Sequence, residues 1–296
     1  MNNQLILFCL VVLGIFSCGR QERLEVDFES WGNYWFQGKA EISSYDLVQY
    51  RYGEAREGEA VLIFVTEDFS RKKQVKLDQP NEAGRDKLSV LKMNQTRDFL
   101  TGIYPYHMML SAFTPTKEAS LGVKFNLTSQ EWCGHTFTQL NLKSGQDYKG
   151  RLYSYFEEEG DQEFSVSGLI EDDIWNLIRI NPNQVPTGNV KVLPSMIYQR
   201  FSHKEFKAEE AFIRIIDISR DRNRMELTYS SGERVVHIDF EKEFPFQIMA
   251  WEEILNTKEG QKEITTAKRK GFKQIDYWNK NSLEDEFLRR ELRIND

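Results

Sequence analysis

The sequence predicts a mainly β protein, built as a large curved antiparallel sheet or open half-barrel, with a short internal helix and helices at its C-terminal end. Three observations predict this class. Alternating apolar and polar residues recur at 44–52, 59–67, 104–113, 121–128, 131–142, 149–158, 190–201, 210–219, 224–230, 233–240 and 244–251, the period of half-buried strands. Most of these runs are rich in β-branched and aromatic residues, which suit a pleated surface. Turn chemistry separates them at Tyr52-Gly53-Glu54, Ser144-Gly145-Gln146-Asp147, Glu159-Gly160-Asp161 and Ser231-Gly232. No linker interrupts the stretch from Trp31 to Trp251, and no repeat of fixed period is present, so one β-rich domain is expected over 31–251.

The elements follow in order. Residues 18–30 are polar and predict a tether. From Trp31 an extended segment is expected, with Tyr34, Phe36, Ala40 and Ile42 on one face. QPNEAGRDK (79–87) reads as a flexible loop. Leu169 to Ile178 carries Ile170, Ile174, Leu177 and Ile178 near helical spacing, with Glu171, Asp172 and Asp173 in a first turn where acids suit the helix dipole. NPNQVPTG (181–188) is a loop punctuated by proline and glycine. The lysine- and glutamate-rich stretch 252–296, with Phe272, Ile275, Tyr277, Trp278, Phe287 and Leu288, predicts one or two amphipathic helices docked on the domain.

Residues 5–16, LILFCLVVLGIF, form an apolar run too short to span a bilayer comfortably but suited to a secretory signal covering 1–17. Ile15-Phe16-Ser17-Cys18 then resembles the lipobox of bacterial lipoproteins. That resemblance implies acylation of Cys18, cleavage before it, and stable membrane anchoring through several acyl chains. The alternatives are a signal cleaved without lipidation or a retained anchor helix. With Cys9 in the signal and Cys18 acylated, Cys133 has no partner for an internal disulfide. A net charge of −7 and a pI near 5.4 argue against nucleic-acid binding, which needs a basic footprint. Gly19 follows the lipidated cysteine where an Asp would favour inner-membrane retention. The expected place is therefore the outer membrane, facing the periplasm.

The string Gln130-Glu131-Trp132-Cys133-Gly134-His135 is the most distinctive chemically. On one continuous strand Cys133 and His135 would share a face with Glu131 and Phe137, as a nucleophile pair or half a metal site. A buried cysteine beside a hydrogen-bonded histidine is the structural alternative. Ile103-Tyr104-Pro105-Tyr106-His107-Met108-Met109 interleaves aromatics and methionines, which line an apolar ligand pocket or simply fill a core. The carboxylates at 157, 158, 159, 161 and 163 lack an EF-hand pattern and read as a solvated acidic turn. His237 and Asp239 lie on the outward face of an ordinary amphipathic strand. No P-loop, dinucleotide fingerprint, nucleophile elbow or zincin motif is present.

YWFQGKAEISSYDLVQYRYGEAREGEAVLIFVTEDFS, TGIYPYHMM, QEWCGHTFTQLN, SYFEEEGDQ and IRINPNQVPTGNVKVLPS together resemble a family of lipoproteins from Bacteroidetes, over roughly 31–255. Members are often labelled septum formation inhibitor Maf. Proteins with the Maf activity are cytoplasmic nucleotide pyrophosphatases with an α/β fold and a basic Ser-rich motif near the N-terminus. This chain has an export signal in that place and reads as all-β, so the resemblance implies a lipoprotein and not that activity. The order of elements from 169, a short helix, a loop and strands ending FPFQIMAWEE, is also similar to periplasmic β-rich half-barrels such as lipoprotein carriers, which implies a concave apolar surface. The expected function is a non-enzymatic envelope module that binds an apolar ligand, a glycan or another envelope protein and needs no cofactor. An envelope hydrolase or metal-dependent enzyme using Cys133 and His135 is the alternative, with His107 as a further ligand.

Overall fold

The computed structural model describes residues 27–117, 121–257 and 260–294. The expected export signal, Cys18 and most of the expected tether lie outside these residues. Eight strands form an up-and-down meander: β1 (Ala40–Arg51), β2 (Glu54–Ser70), β3 (Lys87–Thr101), β4 (Tyr104–Pro115), β5 (Lys124–Glu131), β6 (Gly134–Ser144), β7 (Asp147–Ser154) and β8 (Gln162–Ser167). Seven more follow: β9 (Leu169–Ile170), β10 (Gly188–Leu193), β11 (Glu209–Asp217), β12 (Arg222–Tyr229), β13 (Arg234–Glu241), β14 (Ile248–Asn256) and β15 (Lys262–Ile275). All belong to one 15-stranded sheet in which β15 pairs with β1, so the second series runs back to meet the first. Every pairing is antiparallel except the short one between β9 and β10. The fold is a nearly closed barrel, and the expected β class with short helices is what it shows.

Its two edges, β8 and β9, are separated in sequence by Gly168 alone. Gly168 has φ +136°, a region that side chains other than glycine rarely enter. A Cβ there would stand 2.9 Å from the Lys191 carbonyl oxygen and 3.3 Å from the Ala208 Cβ. Gly168→Ala is therefore expected to destabilise the protein by about 1–3 kcal/mol. A urea titration checks this; an unchanged midpoint would show that the seam relaxes freely.

The barrel is filled. Helix α1 (Phe28–Trp35), capped by Asp27 through the Glu29 N–H (3.0 Å), buries Trp31 and Trp35 at i and i+4 and lies near the start of β1. Helix α2 (Ile174–Ile180) has all seven residues buried. It reaches strands on several sides. Asn176 Nδ2 donates to the Leu91 and Ala112 carbonyls (3.0 and 3.3 Å) and to Thr114 Oγ1 (2.8 Å). Arg179 donates to Glu41, and Trp175 packs on Trp251 with ring centroids 5.3 Å apart. Helix α3 (Met196–Ser202), capped by Ser195, covers the opposite end, where Phe201 meets Phe99 and Tyr106. Helix α4 (Phe287–Glu291) lies against the outside of β1 and β15, where the Leu292 carbonyl accepts from Ser44 Oγ.

Several expectations are corrected. Residues 31–35 are helical, because the same aromatics also satisfy the i, i+4 spacing. The strand expected over 190–201 ends at Leu193, and Ser195 then caps a helix. Residues 252–256 and 262–275 are strand, so the β domain runs to Ile275 and only the short turns beyond it are helical among the described residues. Its lysines favour a helix intrinsically, but pairing with both β1 and β14 overrides that preference. Strand β3 was not expected at all. Its inward positions include Gln95 and Arg97, which break the apolar alternation. The interior, expected as a concave apolar surface, is occupied by α2 and α3.

Candidate functional site

The outer faces of β3–β7 carry two rows of side chains set by the strand register. One row runs Thr96, Met109, Thr128, Phe137, Tyr153 across consecutive strands. The next runs Asp98, His107, Gln130, His135. Strands about 4.8 Å apart place neighbours within a row side by side. Together the rows line a groove of about 800 Å³ that Tyr155 and Asp161 also border. The Phe137 and Tyr153 rings are 6.5 Å apart and only 19° from parallel. His107 Nδ1 bonds Asp98 Oδ1 at 2.7 Å on the exposed surface. Among the described residues no Lys or Arg lines the groove. It offers flat aromatic planes beside hydroxyl, amide, imidazole and carboxylate groups.

Two of the three expected residues, His107 and His135, meet in this groove on either side of Gln130. Cys133 is placed differently. Trp132 and Cys133 form the turn between β5 and β6, so the string is a hairpin and not one strand. Glu131 consequently faces the interior, while His135 and Phe137 face outward. Cys133 is exposed, and its N–H donates to Glu131 Oε2 at 2.6 Å. Hydrogen bonding to Glu131 and that group's negative charge push the Cys133 thiol up from its usual value, which disfavours the nucleophilic thiolate. Among the described residues no three His, Cys, Asp or Glu side chains converge to hold a metal ion.

The other sequence candidates separate by face. Tyr106 and Met108 point into the core, His107 and Met109 point outward, and Ile103 sits exposed in the β3–β4 turn. Two carboxylates of the acidic turn are engaged within the protein, Glu159 accepting from Ser154 and bonding His203 and Glu163 pairing with Lys149 and Arg151, while Glu157, Glu158 and Asp161 are exposed. His237 is outward as expected and bonds Glu252 at 3.1 Å.

Sequence reasoning missed an ionic chain inside the barrel. Arg97 donates to Gln49 (3.1 Å) and Glu253 (2.5 Å). Arg234 lies 3.7 Å from Glu253 and donates to Glu171 at 2.5 Å, and Tyr229 donates to the same carboxylate at 2.6 Å. Burial pushes the Glu253 carboxyl up, but Arg97 and Arg234 outweigh it and hold it below the usual range. Arg234 and Glu253 also border a cleft of about 340 Å³ beside α3. There Arg51 lies over the rings of Tyr52 and Phe201, at 4.2 and 4.7 Å. Polar residues at inward strand positions were the signal that could have found this chain.

No protein-family model matches the sequence, and no curated protein does. The crystal structure of a beta-barrel-like protein of domain of unknown function DUF1849 from Brucella abortus is similar to this chain at 8% sequence identity, covering 80% of this chain and 98% of that one, with a TM-score of 0.47. Among the described residues no helix is long and apolar enough to cross a membrane.

Proposed function

We propose that this protein is an envelope lipoprotein of the Bacteroidetes type, acylated on Cys18 and facing the periplasm from the outer membrane, that binds a neutral glycan chain without catalysis. The anchor is supported by the apolar run 5–16 and the lipobox-like string ending at Cys18. The binding role is supported by one observation above all: the near-parallel Phe137 and Tyr153 rings beside the Asp98–His107–Gln130–His135 row. Pyranose rings stack on such planes while their hydroxyls need both donors and acceptors alongside. A groove without Lys or Arg offers nothing for the charges of a polyanion.

Calorimetry with cellohexaose, chitohexaose and mannohexaose tests this. At least one is expected to bind, and Phe137→Ala/Tyr153→Ala to weaken that binding about tenfold or more. Equal affinity in the double variant, or no binding to any of the three, would sink the glycan assignment.

A further inference from the structure

Charge is unevenly spread at the end of the barrel where the described chain begins. The connection from β2 to β3 opens with Arg71-Lys72-Lys73-Gln74-Val75-Lys76, four cations and no acid, in a chain of net charge −7. The segment is held in place. Gln74 Nε2 donates to the Leu142 carbonyl at 2.7 Å, its Oε1 accepts from Asn141 at 2.7 Å, and its carbonyl accepts from Lys124 at 3.2 Å. Lys72, Lys73, Val75 and Lys76 are left exposed.

Three of the acids nearby are engaged, while Asp78 and Glu82 farther along the same connection are exposed. Asp86 accepts from Ser70 Oγ (2.6 Å) and the Lys72 N–H (2.9 Å). Glu67 is shared between Lys92 at 3.0 Å and Lys76 at 3.7 Å. Asp68 pairs with Lys87 at 2.9 Å. Lys39, just after α1, shares a hollow of about 680 Å³ with Val75, Lys76 and the partly exposed Trp278. The basic segment, two apolar side chains and the entry of the N-terminal chain therefore occupy one end. The Trp35 carbonyl accepts from Thr66 Oγ1 of β2 at 2.7 Å, which fixes α1 there. Only eight residues lie between Cys18 and Asp27, a reach of at most about 30 Å.

We infer that this end lies on a bilayer surface carrying anionic headgroups, with residues 71–76 making the electrostatic contact and Val75 and Trp278 reaching the interfacial layer. A cluster of cations beside an anchoring segment is drawn to such a surface within about a Debye length. Tryptophan favours the interface between water and lipid. The orientation rests on the anchored reading above; the electrostatic contact does not need the acyl chains.

The test is co-sedimentation of the full chain with vesicles of phosphatidylcholine alone or with roughly a third phosphatidylglycerol. Partition onto the anionic vesicles is expected to be about tenfold stronger or more, and to collapse between about 0.1 and 0.5 M salt. Lys72→Glu/Lys73→Glu/Lys76→Glu is expected to abolish the preference, and the triple alanine variant to halve it at least, both with unchanged melting curves. Equal partition onto both vesicles overturns the inference, as does an undiminished preference in the two variants. The mass of the protein extracted from cells reads acylation of Cys18 separately, so failure of the anchor and failure of the lipid contact are distinguishable.

Discussion

Arg179→Met is expected to lower the free energy of unfolding by about 3–5 kcal/mol, the largest single effect among the substitutions considered. Arg179 and Glu41 form a bidentate pair at 2.5 and 2.6 Å, each only 1% exposed. The guanidinium is also enclosed by Trp35 and Phe64, 5.1 and 4.9 Å from their rings, and its Nε donates to the Pro245 carbonyl at 3.0 Å. One residue thus ties the central helix to β1, to α1 and to the approach to β14. Removing it leaves Glu41 as an uncompensated charge in the core, still accepting from Tyr34 at 2.5 Å. The cost comes from that orphaned carboxylate more than from the lost pair. Glu41→Leu/Arg179→Met is therefore expected to recover most of the loss. Urea titrations of the single and double variants check this, and a double variant no better than the single would refute it.

Asp172→Asn is expected to stabilise the protein at pH 8 by up to about 4 kcal/mol. Asp172 is fully buried next to Glu171 and accepts one hydrogen bond, from the Met196 N–H at 2.9 Å. Burial, and then the Glu171 charge, push its carboxyl up to about 7. Burial raises neighbouring Asp173 to about 6, against the hydrogen bonds from Thr114 and Gly122. Well below pH 3.8 these carboxyls are protonated in both the folded and unfolded chain. As pH rises from 4 to 7 the unfolded chain loses its protons first, so the folded state binds more and stability falls. Asn keeps the acceptor for Met196 and has no charge to bury. The wild-type midpoint should fall across this window and that of Asp172→Asn should fall less. A variant less stable than wild type at pH 8 would show that the charged form is needed.

The β class was legible because most outward and inward positions alternate cleanly, as in β12 and β13, where Met225, Leu227, Val236 and Ile238 face the core. The tight turns were legible from their glycines; Tyr52 and Gly53 both adopt positive φ between β1 and β2. The failures share a cause. Arg97 and Arg234 face inward because they answer charges brought from distant segments, and such pairing leaves no local trace. The acids at 171–173 were expected to serve the helix dipole. Each instead reaches a distant partner: Arg234, the Met196 N–H and Thr114. At the groove, His107 and His135 were recognised from sequence, but Gln130 between them and the Phe137–Tyr153 pair depend on register across five strands. Cys133 was misplaced because a two-residue turn without Asn or Asp gave no sign that the strand reversed there.

The pairing of β15 with β1 has a consequence for how the chain acquires its shape. Gln49 of β1 donates to Thr265 of β15, 216 residues away, at 2.9 Å. Contacts of such long separation are slow to form, because the loop must close before they contribute. Until the last strand docks, β1 and β14 are open edges able to recruit strands from other chains. A nascent or truncated chain ending before Lys262 would carry both edges unprotected, with the helical plug already made but only partly enclosed. The final fourteen-residue strand therefore acts as the latch that turns a sticky, unfinished ribbon into a self-contained particle.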